Sequence, residues 1–251
     1  MTSCTNSEER ERQRRAGEGK SATSCTGTTT PCPSSKYPWL RDALVIMCPK
    51  DKAFLDDLRA RGVKMSAYDR IYYEDPYYDG TKWTTKTFEG GGSTINSNIN
   101  LVTKGMDSKD IAETIYHEGI HTSQPNSMPW SEKEYDAYIR TEQWAIDHGL
   151  PATRSGFRTK DASGKLVPDV VAIRSFVDKE YPIKVDKSAN SGGLTYKVIG
   201  KKASGETIIQ NMADPTDIKT RPPKKGDTFP GPQIEEPPGG QSINPDDLKC
   251  P

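Results

Sequence analysis

The stretch Thr114–Ser123 reads TIYHEGIHTS and carries two of the chain's three histidines four positions apart, with a glutamate directly after the first. On an α-helix, residues i and i+4 lie only about 40° apart around the axis, so His117 and His121 share one face, while Glu118 stands about 100° round from His117. The flanks have a helical period. Ile111 with Ile115 and Ala112 with Tyr116 recur at i, i+4, Asp107 or Ser108 supplies an N-cap, and Pro125 marks the end. With Ile120, this apolar surface predicts a helix buried beside a core. Gly119 stands out, because glycine costs about 1 kcal/mol in a helix interior.

Two imidazoles on one helix face can bind one metal ion, and a carboxylate set beside them can reach a metal-bound water without entering the coordination shell. That is the arrangement of a hydrolytic zinc centre, in which the ion acidifies the water and the carboxylate takes its proton. The competing reading is a helix end with two incidental histidines. A catalytic zinc usually has three protein ligands, and the pattern HExxHxxGxxH fails here, with Gln124 in place of the glycine and Ser127 in place of the third histidine. The next helix, from Ser131 and closed by Gly149 and Pro151, offers Glu134 on one face with Ala137, Tyr138 and Thr141. Ser131 and Glu134 also have the spacing of a capping box, in which the glutamate would bond back to the first turn. Glu132, Asp136 and His148 stand in reserve as ligands, and Tyr135 or Tyr138 as a donor to an oxyanion.

Around this pair the chain changes character several times. Residues 1–36 are Ser, Thr, Gly and charge, and read as a polar leader. Tyr37 opens a more apolar region with a hydrophobic segment and then a helix from Asp51, its N-cap, to a C-terminal glycine, Gly62. Residues 70–105 are rich in Tyr, Thr, Ile and Asn, with turn signals at Asp79-Gly80 and Gly90-Gly91-Gly92, and predict short strands joined by hairpins. Residues 93–102 read as one half-buried or edge strand. A third helix runs between Pro168 and Pro182, a hairpin follows over 194–212, and 213–251 has the Pro, Gly and charge of a polyproline-like tail. The compact domain is therefore expected over 37–212.

Composition narrows the classes. Only 32% of the 251 residues are hydrophobic and the mean hydropathy is −0.80, which fits one modest core with polar extensions. Lys+Arg and Asp+Glu both number 35, so charge gives no argument for nucleic acid or a membrane surface. No stretch resembles a membrane span or a signal-peptide core, so a secreted form would need a route that reads no such signal; otherwise the chain is cytoplasmic. Of Cys4, Cys25, Cys32, Cys48 and Cys250, the pairs Cys25–Cys32 and Cys48–Cys250 are disulfide candidates in an oxidising compartment, with free thiols the alternative.

HEGIH followed by EYDAY resembles the gluzincin branch of zinc metallopeptidases, whose second motif is E-x-x-A. More narrowly, residues 68–150 look like the compact metallopeptidase toxin domains of bacterial polymorphic-toxin and type VI secretion effectors. The resemblance implies an α+β, zincin-like fold in which a small antiparallel sheet packs on the HExxH helix and on a glutamate-bearing helix. It also implies His117, His121 and Glu134 as Zn2+ ligands, Glu118 as base, and endopeptidase activity on a protein or peptide substrate. An immunity protein and a secretion-apparatus partner would follow. Two features depart from the family: Gly119 replaces a bulky residue, and the step from His121 to Glu134 is shorter than in many gluzincins. The rival readings are a non-catalytic binding or structural module of a secreted assembly, and a zinc hydrolase acting on a non-peptide substrate.

Overall fold

A computed structural model of the chain describes residues 37–125, 127–181, 185–186, 196–229, 233–236 and 241–250. It is an α+β fold, as expected. Residues 1–36, with Cys4, Cys25 and Cys32, lie outside the described part. Among the described residues no helix is long and apolar enough to cross a membrane.

The chain divides into two compact units. The larger takes in Gly90–Tyr181 together with described residues up to Ile71 and from Glu235 onward. Its first element is α1 (Pro38–Ala60), a helix begun by a proline at its first turn. Leu40, Leu44, Met47, Leu55 and Leu58 are buried along it. Pro49 interrupts the ladder, and Asp51, at φ −103° and ψ 17°, marks the kink. The hydrophobic segment and the following helix are thus one bent element, and Asp51 sits at its bend instead of capping it. Gly62 has φ 67°, the left-handed conformation of a C-terminal glycine, and accounts for the helix stop.

The sheet beside α1 holds β1 (Met65–Tyr68), β4 (Gly92–Ile95), β5 (Asn98–Val102) and β13 (Gln241–Ile243) in the order β13-β1-β5-β4. It is mixed: β1 runs parallel to β5, and the two outer pairs are antiparallel. Residues 93–102 form a hairpin instead of one strand, because Asn96 and Ser97 take φ of 49° and 62° and reverse the chain in two residues. Helices α2 (Ser108–His121), α3 (Trp130–Asp147) and α4 (Val170–Glu180) complete the unit, with the short pair β6 (Arg158–Lys160) and β7 (Leu166–Pro168). Asp107 is the N-cap of α2, accepting from the amides of Lys109 and Asp110, and Asp169 caps α4 in the same way. Buried Glu142 accepts from the Thr153 amide and hydroxyl and from Arg158, which ties α3 to the chain that follows it.

The smaller unit, Tyr72–Glu89 and Pro182–Ile234, contains most of β2 (Arg70–Tyr78), β3 (Trp83–Gly90) and the sheet β11-β10-β9-β8. In that sheet β9 (Tyr196–Lys201) and β10 (Thr207–Asn211) make the expected hairpin, flanked by β8 (Val185–Asp186) and β11 (Ile218–Arg221). The region read as a polyproline-like tail carries regular structure instead. Within it β11 pairs with β10, β12 (Gln233–Glu236) neighbours β2, and β13 pairs with β1 before a 3-10 turn at Pro245–Leu248. A disulfide joins Cys48 of α1 to Cys250.

Candidate metal centre

The second half of α2 is buried on every side: His117, Glu118, Gly119, Ile120 and His121 all lie inside. Successive positions turn by about 100°, so one short stretch can face three elements at once. Gly119 faces α1: a Cβ there would lie 2.5 Å from Phe54 Cζ and 3.4 Å from Leu58 Cδ1. That close approach explains why glycine, despite its helix penalty, stands inside the motif. Glu118 faces β4, where the Thr94 hydroxyl donates to its Oε2 at 2.8 Å and to its backbone oxygen at 2.9 Å. Gly92 of the same strand allows the contact, since a Cβ would come within 2.6 Å of Thr114 Cγ2 and 3.2 Å of Glu118 Cγ.

The two histidines face α3. His117 Nε2 and His121 Nε2 are 3.3 Å apart. Glu134 Oε1 lies 3.3 Å from His121 Nε2, and its Oε2 lies 3.6 Å from His117 Nε2. His117, His121 and Glu134 are 7%, 8% and 0% exposed. Both carboxylate oxygens of Glu134 are buried without a hydrogen-bond donor of proper geometry. A fully buried carboxylate left so is costly unless a positive charge sits among the three groups. Four ligands set tetrahedrally about 2.0–2.2 Å from an ion lie roughly 3.3–3.6 Å apart, the spacing found here. The trio could therefore hold a metal ion.

The electrostatics agree. Burial alone would raise the Glu134 carboxyl and lower the His121 imidazole, but their mutual attraction wins, taking Glu134 down to about 2 and His121 up to about 9. The group is organised around a cation, whether a proton or a metal. Glu118 goes the other way: burial pushes it up, against the nearby imidazoles. A raised carboxyl suits a group that must accept and return a proton near neutral pH.

The ring Nδ1 atoms point outward to partners. His121 Nδ1 is 2.7 Å from Gln124 Oε1, and His117 Nδ1 is 3.3 Å from Thr141 Oγ1. Sequence reasoning places Thr141 on the correct face without giving it a role, and meets Gln124 only as a missing glycine. The one available signal is that Gln124 follows His121 by three positions.

The other candidates are engaged elsewhere. The helix α3 begins at Trp130 with Pro129 as N-cap and no side-chain cap bond, so Glu134 closes no capping box. Exposed Glu132 pairs with Arg174 at 2.9 Å through both oxygens. Asp136 accepts from Gln124 at 2.9 Å. His148 ends α3 with its Nε2 3.2 Å from Asp51 Oδ2, which also accepts from Trp144 Nε1 at 2.6 Å. The Tyr135 hydroxyl reaches Val170 O, and that of Tyr138 meets Tyr181 and Arg154. Compared with protein-family models, curated proteins and solved structures, the chain matches none of them.

Proposed function

We propose that this chain is a zinc-dependent endopeptidase in which His117, His121 and Glu134 hold the ion and Glu118 is the general base. The observation that carries the reading is buried Glu118, held by Thr94 of strand β4 and close enough to His117, His121 and Glu134 to feel their charges. Two imidazole nitrogens and one carboxylate at near-tetrahedral spacing suit zinc, whereas magnesium and calcium favour sets made wholly of oxygen. Bound there, zinc supplies Lewis acidity that makes a water acidic and a carbonyl electrophilic.

The chain's own residues do the rest. Thr94 holds Glu118 Oε2. The Oε1 atom, which takes no hydrogen bond from the described residues, is the oxygen that accepts the proton of the attacking water and returns it to the leaving amine. The choice of a peptide over other substrates rests on the resemblance of HEGIH and EYDAY to metallopeptidases. The resemblance to effector toxins extends the proposal to a secreted bacterial protein, and the Cys48–Cys250 disulfide supports an oxidising compartment.

The test is zinc-loaded chain incubated with a denatured protein mixture, with new N-termini read by mass spectrometry, beside Glu118→Gln. The wild type should cut, and the variant should keep its zinc and lose about 10²–10⁴-fold in rate. Undiminished cleavage by Glu118→Gln would overturn the mechanism. A wild type that cuts no protein would leave a hydrolase of another bond or a structural zinc.

A further inference from the structure

The geometry points to Gln124 and Thr141 as positioning residues that fix the tautomers of both ligand histidines, a reading that rests on the metal site proposed above. Each assignment follows from counting donors. The Gln124 side-chain amide gives its Nε2 hydrogens to Lys133 O and to Asp136 Oδ2, both at 2.9 Å. A backbone carbonyl never donates, so turning the amide over would set its oxygen against an acceptor. Gln124 Oε1 must therefore face His121 Nδ1, 2.7 Å away, and it can only accept. The proton is on Nδ1.

The same count settles His117. The Thr141 hydroxyl has one hydrogen, which it gives to Ala137 O at 2.7 Å. Toward His117 Nδ1, at 3.3 Å, its oxygen is then an acceptor, and this ring too carries its proton on Nδ1. Both rings are thereby required to offer the Nε2 lone pair to the centre shared with Glu134, as metal ligation demands. A free imidazole would exchange tautomers and rotate; these two, in the neutral form that ligates a metal, are each held to one.

Gln124 also links His121 to a carboxylate. Asp136, a reserve ligand by sequence, sits behind Gln124 in the line His121 Nδ1–H, Gln124 amide, Asp136 carboxylate. Glutamate cannot replace this glutamine, because its second oxygen would meet Asp136 and Lys133 O, which are both acceptors.

The experiment is calorimetric titration of the chelator-stripped full chain with Zn2+, for the wild type, Gln124→Met, Thr141→Val and Gln124→Glu, with thermal unfolding of each metal-free form. Each variant should bind zinc about 10–100-fold more weakly. Asp136→Asn added to Gln124→Glu should restore part of the loss by returning a donor. In the zinc-loaded wild type, ¹⁵N resonances of both imidazoles should show protonated Nδ1 and ligated Nε2, which needs no variant. A wild type that takes up no zinc overturns the metal reading and this one with it. Zinc uptake by the wild type, with Gln124→Met and Thr141→Val binding within twofold of it, overturns only the positioning role. Reduced melting temperature of the metal-free forms without weaker zinc binding, or ligation through Nδ1, does the same.

Discussion

Thr94 divides its single hydroxyl proton between Glu118 Oε2, 2.8 Å away, and the Glu118 carbonyl oxygen, 2.9 Å away. The residue thus grips both the side chain and the backbone of the proposed base from the neighbouring strand. Removing a hydrogen bond to a charged group costs about 1.5–3 kcal/mol. Thr94→Val should accordingly lower kcat about 10–100-fold while zinc content and the ligand trio are unchanged. Steady-state kinetics with metal analysis of the same samples would check it, and an unaltered kcat would show that Glu118 needs no such support.

Gly119 gives a prediction about packing. Gly119→Ala places a methyl 2.5 Å from Phe54 Cζ and should destabilise the protein by about 1–3 kcal/mol, despite alanine's better helix propensity. In a Phe54→Leu background the ring is gone, and the same substitution should become neutral or stabilising by up to about 1 kcal/mol. Urea unfolding of the four chains of this double-mutant cycle tests the claim; additive effects would mean that α1 does not impose the glycine.

Much of this centre is legible in the amino-acid sequence because its signals are local. The N-cap, the i, i+4 isoleucines and the paired histidines lie within one helix, and Glu134 shares a face with Ala137 and Thr141 at helical spacing. Thr94 and the reason for Gly119 are not legible there, since each acts on a neighbour brought close only by tertiary packing; Gln124 lies three positions from His121, but its amide is oriented by Lys133 and Asp136 of the next helix. The strands beyond Ala213 are hidden for a related reason. β11 and β13 are only four and three residues long, and the surrounding proline and glycine mask them. The reversal at Asn96-Ser97 escapes notice because it contains no glycine, although asparagine tolerates the left-handed region well.

Asp227 gives the smaller unit a pH dependence. It is 8% exposed and accepts from Arg221 through both oxygens, from the Thr207 hydroxyl and from the Lys224 amide. Burial would raise its carboxyl, but these donors outweigh burial and hold it below the ordinary value. Because the folded pKa is the lower one, the unfolded chain binds more protons on acidification. The stabilisation is complete above about pH 4 and fades as pH falls through the folded value. Asp227→Asn should cost roughly 3 kcal/mol at pH 7, with the gap from wild type narrowing toward pH 2. Amide exchange of β9, β10 and β11 across that range checks it, and a constant gap would contradict the assignment.

The Cys48–Cys250 bond closes a loop across a sequence separation of 202 residues. By the chain-entropy argument such a link contributes up to about 5 kcal/mol. Cys250→Ser, or reductant, should lower the melting temperature by as much as roughly 10–20 °C. The β13 and 3-10 segment should lose amide protection first, because the link ties them to α1. A melting temperature indifferent to reductant would show that the bond adds nothing.

The proposed centre requires His117, His121 and Glu134 to hold one ion. Its most direct test is the zinc content of the purified chain beside Glu134→Ala, by elemental analysis after dialysis against a weak chelator. One zinc per wild-type chain and little in the variant is the predicted result. A wild type free of zinc, or equal zinc in both, would contradict it.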